Sequence, residues 1–242
     1  MKKKPIFKDL AKYYDLIYSW KNYKDESDKI KSLIKKHIKS SSNELLEIAC
    51  GTGKHIQYLK NDFSVLATDM NKDMLTVAKK NFPSVKFKQL NMIDFNLNKK
   101  FDVVICLFSS IAYVKNYKNL NKTIENFSKH LKKDGILIIE PWFTESAYIS
   151  GLLSMTVYDG KDIKISRVCV CKKKGILSIM DMHYLIAEKN KDTQHFVEHH
   201  ELAMFDIDRV LDIMKKHDLK STFFKNGLMK DRGLYLGIKN YD

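Results

Sequence analysis

Short apolar runs alternate with helix-periodic segments between residues 45 and 140 of this 242-residue chain. The runs that predict strands span residues 45–49, 65–69, 85–90, 101–108 and 135–140. Before the last run, residues with the 3.6-residue spacing of a helix recur; these are Leu120, Ile124, Phe127 and Leu131. The alternation predicts an α/β fold with a Rossmann-like, doubly wound sheet, whose ligands bind at the carboxyl ends of parallel strands.

The segment before this core predicts two helices, over about residues 7–20 and 25–39. The second helix has its apolar residues on one face, as expected for a helix that packs on a sheet; these are Ile30, Leu33, Ile34 and Ile38.

The pattern changes after residue 142. Residues 155–205 are strand-like, with turns at 158–160, 173–175 and 189–192, and predict antiparallel strands beside the ligand site. A helix begins near Asp206, and strands at 221–225 and 234–239 complete a mostly parallel sheet of seven strands. One domain, residues 1–242, therefore comprises N-terminal helices (1–43), a core (44–149), an antiparallel β insertion (150–205), and a final helix with two strands (206–242).

The composition is that of a folded domain with a basic surface. Apolar residues make up 44% of the chain, and the net charge is +14. The lysines are scattered, which favours a solvated surface, although a polyanionic ligand would also benefit from the positive field. No apolar run is long enough to span a bilayer. The Met-Lys-Lys-Lys start is not followed by an apolar stretch, so we expect no secretory signal.

The cysteines lack the spacing of a disulfide framework; they are Cys50, Cys106, Cys169 and Cys171. Reduced thiols and a cytoplasmic location are therefore expected.

The first strand leads into a glycine-rich turn at Gly51 and Gly53. Glycines allow a tight turn and a close approach of the backbone to a nucleoside. Asp69 ends the second strand, where an acid can accept hydrogen bonds from ribose hydroxyls. Ile56 stands where a dinucleotide fingerprint requires a third glycine, and the Gly-Lys-Ser/Thr of a P-loop is absent.

Glu47, Gly51, Gly53 and Asp69, in strand–helix alternation, resemble the core of the class I S-adenosylmethionine-dependent methyltransferases. A closer resemblance, to the sugar N,N-dimethyltransferases that act on nucleotide-linked aminodeoxyhexoses, extends over nearly the whole chain. The segments that carry it are Tyr13-Tyr-Asp-Leu-Ile-Tyr18, Phe108-Ser-Ser-Ile-Ala-Tyr113, Glu140-Pro-Trp142, Met182-His-Tyr184 and Arg232-Gly-Leu234. This family acts without a metal and usually pairs through its sheet insertions.

The resemblance implies S-adenosyl-L-methionine as cofactor. It places the methionine portion at Glu47 and the turn after it, and the ribose at Asp69. The implied cofactor-binding residues are Tyr14, Tyr23, Glu47, Ala49, Cys50, Gly51, Gly53, Asp69, Met70, Met74, Asn91, Met92, Ile93 and Leu107. Related enzymes most often carry Asp at the position of Asn91, so the adenine contact is expected to be weaker here or to shift to Asp94.

The resemblance also implies an acceptor site. Tyr14 and Tyr113 would be the catalytic residues, and the substrate would contact Ser109, Trp142, Phe143, Arg167, His183 and Arg232. Some relatives carry His at the position of Tyr113. Because a phenol with a pKa near 10 is a poor base at pH 7, general-base catalysis by Tyr113 alone is not expected. Core packing or surface ion pairing remains an alternative role for the substrate candidates.

Three histidines lie close together at His195, His199 and His200. In a strand, His195 and His199 share one face and His200 lies on the other, so no metal site is expected.

These observations favour N-methylation of a small-molecule amine, most simply that of a nucleotide-linked amino sugar. O-methylation of another metabolite is the alternative. The sequence is less consistent with a nucleic-acid methyltransferase, because Phe-Ser-Ser follows the fourth strand in place of the Asp/Asn-Pro-Pro-Tyr typical of enzymes that methylate base amino groups. No membrane partner is expected, and a homodimer through the β insertion is possible.

Overall fold

The computed structural model describes residues 10–39 and 42–240, which form two sheets. The strands are β1 Glu44–Ile48, β2 Ser64–Asp69, β3 Lys86–Gln89, β4 Phe101–Cys106, β5 Leu131–Ile139, β6 Leu153–Asp159, β7 Ile163–Lys174, β8 Leu177–Glu188, β9 Gln194–Ala203, β10 Leu219–Phe224 and β11 Leu234–Lys239. The seven-stranded sheet has the order β10-β11-β5-β4-β1-β2-β3. Strands β1 to β5 are parallel, and β11 is antiparallel to both of its neighbours. The predicted α/β fold with a mostly parallel sheet is confirmed.

The helices of the described residues are α1 Tyr14–Ile17, α2 Tyr23–His37, α3 Ile56–Leu59, α4 Lys72–Asn81, α5 Tyr117–Lys129 and α6 Ile207–Lys216, with 3₁₀ turns at Ala11–Tyr13 and Ser110–Val114. The longer helices begin after side chains that accept hydrogen bonds from the first turn. Asn22, Asn71, Asn116 and Asp206 serve in this way for α2, α4, α5 and α6. Within the described ranges, no helix has the length and hydropathy to cross a membrane.

The predicted helix over residues 7–20 is wrong where the structure describes it, since residues 10–20 form a 3₁₀ turn and one α-helical turn. Residues 7–9 lie outside the described residues. The α-helical turn ends at Ile17, because Tyr18 leaves the helical conformation with φ -105° and ψ 22°. Tyr13 and Ile17 pack against Tyr184 of the insertion, whereas the Tyr18 ring lies edge-on to Phe108, 5.0 Å between centroids.

Two other boundaries differ from the sequence prediction. Strand β4 ends at Cys106 rather than residue 108, because Phe108 and Ser109 adopt left-handed φ angles of 51° and 61°. Leu131, which was assigned to a helix, instead begins β5 and pairs with Phe101.

The β insertion forms an antiparallel sheet of its own, in the order β6-β7-β8-β9. Its inner face packs on the N-terminal segment and on the 3₁₀ turn after β4, through residues such as Tyr184 and Met180. Its outer face carries exposed apolar residues; these are Leu153, Met155, Val157, Val168, Val170 and Leu185. The insertion therefore closes one side of the space above the carboxyl ends of β1 and β4.

Replacing Gly53 by Ala is expected to destabilise the fold. Gly53 has φ +84°, and an added Cβ would lie 3.0 Å from the Phe82 ring and 3.2 Å from Ile56. The strain of the left-handed conformation, about 1–2 kcal/mol, and the crowding should therefore both lower the free energy of unfolding. Urea unfolding measures the loss. Gly175→Ala is the control, because it has φ +56° but no atom within 4 Å of the added Cβ. Equal losses in the two variants would contradict the packing argument.

Candidate active site

The turn after β1 and the end of β2 are joined by the Asp69 carboxylate. It accepts hydrogen bonds from the backbone N–H groups of Gly51, at 2.8 Å, and Asn71, at 2.7 Å. Gly51 has φ +57°, and a Cβ built there meets no atom within 4 Å because it would project into open space. The backbone and one carboxylate thus form a cradle in which the flat side of a nucleoside can lie.

Glu47 lies beneath this cradle with 2% exposure. Burial raises the pKa of its carboxyl to about 8, and the negative charge of Asp69 adds to the effect. Among the described residues, no hydrogen-bond partner reaches Glu47 Oε2. A buried acceptor of this kind is stabilised by a positively charged ligand. A nucleoside that carries cationic groups therefore fits the residues present.

One cavity of about 1240 Å³ extends from the cradle to the inner face of the insertion. Ligand pockets commonly occupy about 300–1,000 Å³, so this space suits two ligands side by side. The predicted site residues that line it are Tyr14, Ala49, Gly51, Asp69, Met70, Met74, Asn91, Met92, Ile93, Ser109, Tyr113, Trp142, Phe143, Arg167 and Arg232. Tyr23, Glu47, Cys50, Gly53 and Leu107 do not line it and lie in the layer behind.

His183 does not join the other substrate candidates. It pairs with Val168 across the outer face of the insertion, is exposed, and stacks on His195 with 5.4 Å between ring centroids. Side chains alternate between the faces of a strand, so Met182 lines the cavity and His183 does not.

The turn at Asn91 forms the side of the cradle where the sequence predicts the adenine. The Asn91 side-chain oxygen accepts a hydrogen bond of 3.0 Å from the Ile93 backbone N–H, which fixes the turn. Asn91, Met92 and Ile93 line the cavity, whereas Asp94 does not. The uncharged Asn91 therefore has a structural role, and the apolar side chains beside it offer a surface for a purine ring.

At the opposite side, the loop after β4 is bonded to the loop after β5. The Phe108 backbone N–H donates to Glu140 Oε2 at 2.6 Å, and Ser109 Oγ donates to the Pro141 carbonyl at 2.7 Å. Arg232 Nη1 donates to Ser109 Oγ at 3.0 Å, and its guanidinium lies 4.5 Å from the Trp142 ring centroid. These hydrogen bonds hold Arg232 and an aromatic wall, formed by Trp142 and Phe143, at the cavity surface.

Tyrosines cluster between the cradle and this wall. The rings of Tyr14 and Tyr18 are 4.7 Å apart, and Tyr18 Oη accepts a hydrogen bond of 2.8 Å from Arg167. Burial raises the pKa of Tyr14 well above 10, and the nearby Tyr18, Tyr23, Tyr113 and Asp69 raise it further. Tyr14 is therefore a neutral phenol at the centre of the cavity, able to accept or donate a hydrogen bond but not to act as an anion.

The sequence reasoning missed several residues that line the cavity, namely Tyr18, Phe108, Met180, Met182, His200 and Leu202. The two-residue period of β8 and β9 does place Met180 with Met182 and His200 with Leu202 on common faces. That period cannot show which face the core covers.

A buried charged group beside the site was also missed. Lys21 binds Glu26, and Glu26 Oε2 lies 2.9 Å from His55 Nε2. His55 Nδ1 lies in turn 3.9 Å from Glu47 Oε1. The segment before α2 is thereby connected to the acid beneath the cradle. The described residues contain no group of three or more His, Cys, Asp or Glu side chains placed to hold a metal ion.

Comparisons with known proteins agree with this geometry. A family described as methyltransferase domain matches residues 45–135. A dTDP-3-amino-3,4,6-trideoxy-alpha-D-glucopyranose N,N-dimethyltransferase of Streptomyces venezuelae is 30% identical over 95% of this chain and 98% of its own. A dTDP-3-amino-3,6-dideoxy-alpha-D-glucopyranose N,N-dimethyltransferase of Streptomyces fradiae is 28% identical over 95% and 91%. The crystal structure of Streptomyces venezuelae DesVI superposes with a TM-score of 0.89, at 29% identity, over 95% of this chain and 98% of its own.

The nucleoside cradle, the acid beneath it and the likeness along nearly the full length lead to one assignment. The chain is an S-adenosylmethionine-dependent methyltransferase and belongs to the family of the nucleotide-sugar N,N-dimethyltransferases.

Proposed function

We propose that this enzyme methylates the amine of a nucleotide-linked amino sugar. The observation that carries the proposal is that one continuous cavity has the cofactor cradle on one side and a wall of Trp142, Phe143 and Arg232 on the other. The relatives named above act on dTDP-linked amino sugars.

S-adenosylmethionine supplies an activated methyl group on a sulfonium. Gly51, Asp69 and the turn at Asn91 would hold the cofactor, and the amine that accepts the methyl group would give up a proton. In-line transfer depends on near-attack geometry and on the exclusion of water. We assign Tyr14, which lines the cavity, to orienting the amine lone pair, and Met180, Met182 and Leu202 add apolar surface on the insertion side.

Arg232 is the residue we assign to the nucleotide diphosphate. Its planar guanidinium suits phosphate oxygens, and Nε has no hydrogen-bond partner among the described residues. Arg167 is less available, because its two terminal nitrogens donate to Tyr18 and Thr156 at 2.8 Å each. We therefore assign Arg167 to holding Tyr18 in the cavity wall.

The test is methyl transfer to a panel of dTDP-linked sugars. We expect the 3-amino and 4-amino sugars to gain one or two methyl groups by mass spectrometry, and the matching 3-hydroxy sugars to gain none. Methylation of the hydroxyl sugars alone would favour the O-methyltransferase alternative. No product from any amino sugar would refute the proposal.

Cofactor binding is expected to release protons through Glu47. A carboxyl with a pKa of about 8 is roughly 90% protonated at pH 7, and the cationic cofactor favours its ionised form. Binding should therefore release up to about 0.9 proton at pH 7, and affinity should rise with pH up to about 8. Calorimetry in buffers of different ionisation enthalpy measures this number. Glu47→Gln is expected to abolish the buffer dependence; a wild-type enthalpy independent of the buffer would contradict the assignment.

We also propose a homodimer through the outer face of the β insertion and a cytoplasmic location. Leu153 and Met155, 77% and 70% exposed, share that face with Val168 and Leu185, and an apolar patch of this kind suits an isologous contact. Met155→Lys is expected to shift the mass by light scattering from dimer to monomer; a monomeric wild type would refute the dimer. Free cysteines at positions 50, 106, 169 and 171 support a reducing compartment.

A further inference from the structure

The amine that this enzyme is proposed to methylate must lose a proton. Aliphatic amines in proteins titrate near pH 8 to 10, so the acceptor reaches the site mainly as an ammonium at pH 7. The lone pair becomes available once that proton has left, and at pH 7 a group in the cavity that takes it would speed the reaction. Tyr113 cannot take it as a phenolate, because burial raises the pKa of its phenol far above 10, with the nearby Tyr18, Glu198 and Asp69 adding to the effect, and so keeps the phenol protonated.

Tyr113 is hydrogen-bonded to a histidine on the facing sheet. Its Oη lies 2.8 Å from Nδ1 of His200, a residue of β9 that also lines the cavity. The other ring nitrogen, Nε2, lies 3.4 Å from Oε2 of Glu198. Glu198 and His200 share the inner face of their strand, with 4% and 2% exposure.

We propose that Tyr113, His200 and Glu198 form a proton relay that deprotonates the acceptor amine. The ammonium gives a proton to Tyr113 Oη as Tyr113 gives its own to His200 Nδ1. The freed lone pair then forms the N–C bond while the S–C bond breaks. His200 holds the proton as an imidazolium beside the Glu198 carboxylate and later returns it to solvent. This role rests on the proposed amine acceptor.

The direction of the relay depends on the tautomer of His200. A carboxylate beside Nε2 favours the proton on that nitrogen, which leaves Nδ1 as the acceptor for Tyr113. Other titratable groups also line the cavity; these are Tyr14 and Tyr18 of the N-terminal segment, Asp69 at the end of β2, Lys72 and Asp73 of α4, Lys115 after the 3₁₀ turn, Tyr148 after β5, Arg167, Cys169 and Cys171 of β7, and Asp231 and Arg232 before β11. Tyr184 of β8 interacts electrostatically with Glu198.

The neighbouring His199 provides a matched control. It lies in the same strand but on the outer face, where Nδ1 is 2.6 Å from Asp181 Oδ1 and Nε2 is 3.2 Å from Glu201 Oε1. It does not line the cavity. His199→Gln therefore removes a histidine and its contacts with two acidic side chains without touching the proposed relay.

The first test needs no acceptor. Long-range ¹H–¹⁵N correlation on histidine-labelled enzyme with bound cofactor identifies the tautomer, and the signals that His200→Gln removes are those of His200. We expect the neutral ring to carry its proton on Nε2 at pH 8. A proton on Nδ1 would overturn the relay, because that nitrogen could not then accept one from Tyr113.

The second test is the pH dependence of turnover with an amino-sugar acceptor. We expect His200→Gln and Tyr113→Phe each to lower kcat about 100-fold at pH 7, within the range for general-base catalysis. The loss should shrink to about threefold by pH 9.5, where the free amine supplies the lone pair. The double variant should be no slower than either single variant, with cofactor affinity and melting temperature as folding controls.

His199→Gln should match the wild type at every pH. A deficit in His200→Gln and Tyr113→Phe that is constant with pH, or strictly multiplicative losses in the double variant, would overturn the relay. If the wild type methylates no amine, the proposed function fails, and the tautomer still decides whether the relay geometry is correct. If His200→Gln does not fold, the kinetic test is made on Tyr113→Phe alone. The His200 signals are then identified by the change that Tyr113→Phe causes in them.

Discussion

Replacing Lys21 by Met is expected to lower the free energy of unfolding by about 3–5 kcal/mol. The Lys21 side chain is 1% exposed and binds Glu26, which also faces His55. Removing the ammonium leaves a carboxylate buried without that partner, and such a charge costs far more than a lost surface ion pair. Urea unfolding monitored by circular dichroism measures the loss.

Two variants control this prediction. Lys31→Met removes a lysine whose partners Asp28 and Asp62 are exposed, so its loss should stay below about 1 kcal/mol. Lys21→Met combined with Glu26→Gln removes both charges and should recover part of the stability. A double variant as unstable as Lys21→Met would show that the buried charge is not the cause.

The same group predicts a loss of stability in acid. Burial lowers the pKa of His55 and outweighs the opposing effect of Glu26, so its contribution to stability is present above about pH 6.5 and is lost as the pH falls from there through its lower folded value. Burial would raise the pKa of Glu26, but His55 and Lys21 outweigh it and lower the pKa. The contribution of Glu26 is present above about pH 4.5 and lost as the pH falls through its folded value.

Asp69→Ala is expected to weaken cofactor binding by roughly 1.5–3 kcal/mol, or about 10- to 150-fold, because hydrogen bonds from the ribose diol to a carboxylate are lost. The substitution also leaves the Gly51 N–H without its acceptor, so the cradle itself loses a support. Titration calorimetry measures the affinity.

Asp62→Ala is the matched control, since Asp62 is an exposed acid that precedes β2 and faces Lys31. It should bind the cofactor as the wild type does. If Asp69→Ala binds the cofactor as tightly as the wild type, the ribose does not bind at the end of β2, and the proposed position of the whole cofactor is wrong.

The cofactor half of the site was predictable because it is local. Residues 47–53 span the end of β1 and the turn that follows it, and Asp69 ends the adjacent parallel strand, β2. Strand–helix alternation fixes that neighbourhood, since parallel strands bring their carboxyl ends to one edge.

The acceptor half was predicted only in part. Trp142, Phe143 and Arg232 were expected at the cavity and line it, whereas His183 is on the outer face of the insertion. Both faces of β8 carry apolar residues near His183, Met182 and Tyr184 on one and Leu185 on the other, so hydropathy did not distinguish the covered face from the exposed one. The apolar patch on the outer face is the reason.

The sequence by itself determined the order of strands and helices, the glycine turn, the acid that closes it and the grouping of alternate residues on the insertion strands. Each depends on backbone geometry over a few residues. Only the tertiary structure decided which face of the insertion covers the cavity, and so brought Tyr113 to His200 across 87 positions. It also placed Arg232, before β11, beside Ser109, after β4, across 123 positions. Such pairs form only when elements far apart in the chain pack together, and no local periodicity encodes those contacts.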